Sequence, residues 1–338
     1  MAITFPRSFP ASMRVVGMTF MPQPHMELTP TRGGLEYAAE LGDTRWKASF
    51  QTPPLTEDQV DDISAWYLTL LSYEPFWGYD LRREYPKAYP NGWGSMVAGS
   101  PAVPFTGYAS LVAVTEGGKM VELTTLPAGF ILSVGDYLAF DFGAVDASGQ
   151  RKRALHRIVV GATGANPTVE VRPPVSYSGV NTTMVSNPSF VTPEPPDIWT
   201  KGTGWTIPAG GNAVGTNVVP GVSISQSIGL QEGQAYRVVW SIGTITSGAL
   251  QLSVGGAVGI ERSTAGTFTE IITAGNDPRI FVVARTANFN GTVGAVNVYP
   301  AVSLYKPAAK MIIVPDTYEE PIDLLKMGQI SFDAIQVL

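Results

Sequence analysis

Cysteine is absent from the 338-residue chain, which excludes disulfides, thiolate zinc sites and cysteine nucleophiles. Histidine is nearly absent: His25 and His156 are the only two. A histidine-based metal site gathers several ligands at local spacing, and nothing of that kind occurs. His156, on an expected strand, reads as an outward or satisfied core imidazole, and His25 as part of a turn at Gln23-Pro24-His25-Met26. Charge is sparse, at 15% Asp, Glu, Lys and Arg with a formal net charge of -6. The one basic cluster, Arg151-Lys152-Arg153, is expected to be a solvated hairpin tip, so no nucleic-acid partner is expected. No run approaches the ~20 apolar residues that cross a bilayer, so no membrane insertion is expected. The opening Met1-Ala2-Ile3-Thr4-Phe5-Pro6 carries no charged start followed by an apolar stretch. The expectation is a product made in the cytosol that stays soluble or leaves the cell inside something larger.

The chain is rich instead in glycine and proline, 36 and 27 residues, with few helix-forming runs. That composition predicts a mainly β fold. Met13 to Phe20 and Thr44 to Thr52 read as strands, the second with Trp46, Ala48 and Phe50 alternating against Arg45, Lys47 and Ser49. One helix is expected over about 57–72. Thr56 and Gln59 form a capping box, Leu55 and Val60 a hydrophobic staple, and Glu57 and Asp58 complement the dipole. Val60, Ile63, Trp66, Tyr67, Leu70 and Leu71 make its apolar stripe, and Pro75 closes the segment. The aromatic run Phe76 to Trp93 reads as core or subunit interface before a sugar platform.

Five short strands, near 109–115, 120–124, 136–142, 154–160 and 168–171, suggest a small barrel, with turns at Gly117-Gly118 and at Asp146 to Gln150. Asp136 reads as a turn residue. Ser176 to Pro196 is the expected linker, stiffened by Pro193, Pro195 and Pro196. Seven or eight strands follow, near 205–207, 222–228, 235–242, 249–254, 266–272, 280–284 and 295–299, as in a jelly-roll-type sandwich. Strands return near 311–314 and 330–337, with a short helical turn at Asp323 to Lys326. The expected architecture is a split β-barrel/sheet host, 1–185 plus 303–338 with its barrel at about 105–175, interrupted by a β-sandwich at 187–302.

Chemistry finds little purchase. No nucleophile elbow, P-loop or dinucleotide fingerprint occurs. The close carboxylate pairs (Glu36 with Glu40, Glu57 with Asp58, Asp61 with Asp62, Glu319 with Glu320) are explained by helix-start electrostatics or exposed turns. The expectation is a chain that is not an enzyme, with no catalytic residue and no metal site.

Two resemblances add to this reading. Trp46-Lys47-Ala48-Ser49-Phe50-Gln51-Thr52-Pro53-Pro54-Leu55, running into Ala65-Trp66-Tyr67-Leu68 and then Pro75-Phe76-Trp77, resembles the N-terminal region of distal tail proteins of long-tailed phages. The barrel-like Val121 to Pro174 and the closing Ile330 to Leu338 fit the same family. That resemblance implies a virion tail-tip protein: a homo-oligomeric ring, a hexamer, joining the tail tube protein to hub or fibre proteins. The inserted segment resembles jelly-roll carbohydrate-binding modules through Asn187-Pro188-Ser189-Phe190, Gly204-Trp205, Gly233-Gln234-Ala235-Tyr236-Arg237-Val238 and Gly291-Thr292-Val293-Gly294-Ala295-Val296-Asn297-Val298. Such modules often hold a structural calcium through an Asp where Gly294 stands here, so no cofactor is expected.

The second resemblance implies aromatic platforms for a cell-surface polysaccharide, with Trp199, Trp205, Trp240, Phe268 and Phe289 as candidates. Trp199 and Phe289, in turn-rich contexts, are expected to be exposed. Trp205 and Trp240 fit the core as well as a binding face, the core being preferred. The alternative is a stand-alone glycan-binding adhesin or accessory module.

Overall fold

The computed structural model describes all residues except 1–2, 4, 31–35, 72, 100–101, 145–150, 178–180, 193–197, 322–326 and 338. The fold is mainly β, with one α-helix among the described residues. The chain divides into two compact units. The first comprises Met1–Phe140, Lys152–Ser176 and Ser303–Leu338, the second Asp141–Arg151 and Tyr177–Val302. The expected turn at 146–150, the Pro193–Pro196 stretch and the helical turn at 323–326 fall wholly or almost wholly on residues outside the description.

The first unit opens with strands β1 (Gly17–Pro30) and β2 (Glu36–Gln51). They head an antiparallel five-stranded sheet that continues through Ser331–Gln336, Ala309–Ile313 and Phe76–Gly78. Alternation sets its buried face: Ala48 lies opposite Ala334 and Phe50 opposite Phe332, and the two phenyl rings stack at 5.0 Å. Both strands reach well into the segment 21–43, which the sequence reading left without strands. His25, read there as a turn residue, lies in β1 at a bulge where the pairing shifts register.

The helix α1 spans Glu57–Leu68 and buries Val60, Ile63 and Trp66. The Thr56 N–H donates to Gln59 Oε1 at 3.1 Å, half of the expected capping box. The helix stops four residues short of the expected end. Thr69 Oγ1 donates back to the Trp66 carbonyl at 2.6 Å, and Leu70 N–H turns to Tyr67 O, so local side-chain bonding and a tightened last turn replace the α ladder.

A closed barrel follows, with strand order Lys152–Val160, Thr168–Arg172, Met120–Thr124, Tyr108–Thr115, Val302–Ser303 and Tyr137–Phe142. The sequence supplied five of these strands. The sixth, Val302–Ser303, arrives from the far side of the inserted segment, where two residues are too short to carry a periodicity. Gly118, at φ +87, is required in the first barrel hairpin: a Cβ there would lie 2.2 Å from the Val175 carbonyl oxygen. Arg153, expected in solvent, is 5% exposed. It lies on the Trp77 ring at 5.1 Å and its Nε donates to Ala308 O at 2.9 Å, so ring and carbonyl take the place of water.

The second unit is an eight-stranded sheet bent round one core. Two long strands build it, Ala235–Val254 and Arg279–Pro300, antiparallel through most of their length. Tyr236, Val238, Trp240 and Ile242 enter the core from one half of the first strand, and Leu250, Leu252 and Val254 from the other. The sequence predicted separate strands here, because Gly243–Gly248 reads as turn chemistry. The structure keeps pairing across it through a run of register shifts, with Thr244 opposite Thr292 and Ser247 opposite Asn290. Part of the expected linker is core as well: Val185 and Phe190 are buried, and Met184 N–H donates to Val298 O at 2.8 Å.

Candidate functional site

Trp199, Trp205, Trp240 and Phe289 all belong to the core of the second unit. For Trp199 and Phe289, each 0% exposed, this corrects the expectation of surface rings. Trp199 packs on Phe190 at 5.0 Å and its Nε1 donates to Asn187 O at 3.3 Å, so the Asn-x-x-Phe opening wraps the indole. Phe289 stacks on Trp205 at 5.5 Å in a socket cut by glycines. A Cβ on Gly215 would sit 2.6 Å from its ring, and one on Gly291 2.9 Å. Glycines that signal turns in the sequence here make room for a ring. Trp240 Nε1 donates to the buried Glu270 at 3.3 Å. None of the four presents a face to a sugar.

Rings nearer the surface are covered too. Phe268, Phe281 and Tyr299 are half-buried, and each carries a guanidinium over it: Arg262 at 4.4 Å, Arg279 at 4.8 Å and Arg237 at 4.2 Å. Arg279 is held by both oxygens of Asp277, at 2.9 and 2.7 Å. Arg262 pairs at 3.4 Å with Glu270, which also accepts from Ile260 N–H at 2.8 Å.

The surface of the second unit carries a cluster of uncharged polar side chains. Asn217, Asn288, Asn290 and Ser247 bond one another at 2.8–2.9 Å above the Trp205–Phe289 pair. At Gly294, the position that the sequence resemblance sets against a calcium-holding Asp, a Cβ would meet Ser241 Oγ at 2.8 Å and Asn212 Oδ1 at 3.4 Å. Two neutral oxygens without a carboxylate do not fit that ion.

The first unit holds two features that the sequence reading missed. One is the outer half of the β1–β2 hairpin. Pairing with the rest of the sheet stops at Lys47 opposite Ile335, yet β1 and β2 stay paired out to Pro30 and Glu36. Every residue in 23–29 and 37–43 whose side chain is described is exposed, including Met26 (50%), Tyr37 (65%) and Leu41 (55%). The signal was available: Gly33-Gly34 sits between two stretches of strand-compatible sequence, but Pro22, Pro24 and Pro30 masked it.

The second feature is a convergence of cations. A Cβ on buried Gly135 would meet Lys87 Nζ at 2.9 Å, Arg83 Nη1 at 3.2 Å and Arg157 Nη2 at 3.3 Å. Arg83 donates to Gly135 O at 2.9 Å and Lys87 Nζ to Val134 O at 2.5 Å. The carboxylate of Asp136 is occupied by the backbone N–H groups of Lys87 and Ser133, and burial raises its pKa. Residues 83, 87 and 157 meet only through the barrel, so no local motif announces them.

His156 is fully buried, stacked on Phe140 at 5.4 Å, with Nδ1 at 2.7 Å from Pro173 O. Burial lowers its pKa to about 4. Among the described residues, no group of three or more His, Cys, Asp or Glu could hold a metal, and no helix is long and apolar enough to cross a membrane.

No protein-family model matches the chain, and no curated protein matches it. Solved structures returned by comparison include two of an exo-β-1,3-galactanase from Phanerochaete chrysosporium. They are 10% and 11% identical, with 82% of this chain and 68% of that chain covered, at TM-scores of 0.21 and 0.23. A third is the N-terminal tandem CBM22 domain from Paenibacillus barcinonensis, 9% identical over 94% of this chain and 93% of that one, at a TM-score of 0.16. The galactanase neighbours correct the expectation that the chain is not an enzyme, which is withdrawn. Overlap at these scores assigns no galactanase chemistry to any residue here.

Proposed function

We propose that this chain is an assembly protein of a phage tail tip. Its first unit forms a ring, a hexamer, between the tail tube and the hub or fibre proteins, and its second unit meets glycans on the host surface. One observation carries the reading. The first unit is built from both ends of the chain, with barrel strand Val302–Ser303 reached only after the long segment Tyr177–Val302, which forms most of a second unit with its own core. Such an arrangement anchors a binding module at two points and multiplies weak contacts through ring symmetry.

For the glycan part, support comes from the amide- and hydroxyl-rich end at Asn217, Ser247, Asn288 and Asn290, groups that match sugar hydroxyls as donors and acceptors. Negative-stain microscopy of the purified protein tests the assembly part, with a six-fold ring expected. A monomer at micromolar concentration overturns it and leaves the stand-alone module. A glycan array tests the ligand part: signal lost in Asn288→Ala/Asn290→Ala supports it, and no signal from the wild type on any glycan overturns it.

A further inference from the structure

The outer β1–β2 ribbon is difficult to explain within a single chain. A two-stranded hairpin is marginal in water unless a third strand or a packed face supports it, and this one has neither among the described residues. Eight residues from Gln23 to Pro30 extend it by roughly 25 Å at strand rise. Strand addition along the free edge of β1 is blocked near its base, because Pro22 and Pro24 offer no N–H. Docking on the β1 side therefore uses side-chain faces. Pairing places Met26 beside Glu40 on one face, and Glu27 and Thr29 beside Ala39 and Tyr37 on the other. Each face thus joins one large apolar group to one carboxylate, and Leu41 stands out at the bulge.

The same unit carries a surface of opposite character. Arg83, Lys87 and Arg157 converge on Gly135 and find no carboxylate within ion-pair distance among the described residues; the carboxylate of neighbouring Asp136 is engaged by backbone N–H groups. Exposed apolar side chains border them: Val134 at 58%, Val159 at 37% and Val160 at 51%. Three like charges face the single buried carboxylate of Asp136, so positive charge is in excess, and an acidic partner relieves the remaining repulsion. Arg157 also reaches Met21 at the base of β1, so the cationic surface lies beside the root of the ribbon, about a ribbon's length from its tip.

We infer that the β1–β2 ribbon docks on a second copy of this chain, laying the face that carries Glu27 and Tyr37 on the Arg83, Lys87, Arg157 and valine surface of its neighbour. Tip meets root, so the contact is head-to-tail, the kind that closes into a ring. The inference rests on the assembly reading above and names its contact.

Charge reversal tests it on the full chain. One variant carries Glu27→Lys, the other Lys87→Glu and Arg157→Glu. Each alone is expected to assemble at least about tenfold more weakly than wild type at physiological salt, by native mass spectrometry and light scattering. An equimolar mixture should recover the wild-type assembly with the two variants in equal number, because every contact in an alternating ring is then complementary. Equal melting temperatures show that each variant is folded. If either charge-reversed variant loses its fold, Glu27→Gln replaces the arm variant and Lys87→Gln/Arg157→Gln the cation variant. Either neutral form should weaken assembly and flatten its salt dependence. A charge-reversed variant that assembles like wild type, or a mixture of folded variants that stays apart, overturns the contact while leaving the ring intact. A wild type that is monomeric at micromolar concentration overturns the ring reading and the contact together.

Discussion

The two units treat their surfaces in opposite ways. The second unit finishes itself: its largest rings are sealed in one core, its half-buried rings lie under arginines, and its polar end closes on its own amides. The first unit has as sound a core, with Trp46, Phe50, Phe76 and Phe332 buried, yet among the described residues it leaves a ribbon open on both faces and a cation cluster without an ion pair. An exposed aromatic with nothing over it is found on the ribbon, at Tyr37, and not among the tryptophans of the unit whose sequence resembles carbohydrate-binding modules. Sequence motifs for recognition and structural readiness for contact thus fall in different units.

The largest effect that sharpens this contrast is expected at Trp199. Truncation to alanine removes a fully buried indole and strands the Phe190 ring that packs on it. The cost is about 3–5 kcal/mol, confined to the second unit. Differential scanning calorimetry should resolve a lowered transition while the first unit keeps its own. An exposed platform residue would instead leave both transitions in place and lose only binding, and that outcome would break the account of the second unit as a self-sealed core.

The next effect belongs to the first unit and depends on pH. His156 has a folded pKa of about 4 against an ordinary 6.5, because burial penalises the charged ring. The unfolded chain therefore binds the proton first. Its contribution is complete above about pH 6.5, falls as pH drops from there toward 4, and is then exhausted. Over that window the loss is about 3 kcal/mol. The melting transition of the first unit should drop between pH 7 and 4.5 in the wild type, and the drop should shrink in His156→Gln. An equal drop in both proteins would assign the acid sensitivity to the carboxylates instead.

How much of this was legible in the sequence differs by element. Strands with strict alternation, such as Thr44 to Thr52, and the helix start at Thr56 were readable because one face of each is buried and the signal is local. The helix end was not, since Pro75 marks where a helix must stop and Thr69 bonds backward before it. The long strands 235–254 and 279–300 were cut at glycines and threonines that the structure keeps paired through register shifts. Phe289 and Trp199 were misplaced for a related reason: the turn-forming residues around them supply space, and space can be filled from within. The ribbon was hidden by its prolines, which are permitted on an edge strand that nothing else joins. The cation cluster was out of reach, since its members lie up to 74 positions apart and meet only on a closed barrel.

The smallest expected effect, at Arg279, tests why the second unit lacks an open ring. Arg279 is surface-exposed and its pair with Asp277 is local, two residues away. Removing it in Arg279→Ala should leave the unfolding midpoint of the second unit unshifted within error, as exposed pairs commonly do. It should also uncover the Phe281 face that the guanidinium now occupies. A stacked guanidinium and a sugar compete for the same apolar face, so a gain of glycan-array signal in Arg279→Ala would make the arginine a cover over a usable platform. Unchanged binding would place recognition at the amide-rich end around Asn288 and Asn290. Loss of binding would make Arg279 itself a contact, its planar group held in position by Asp277, and the division between a finished and an unfinished unit would then have to be redrawn at that residue.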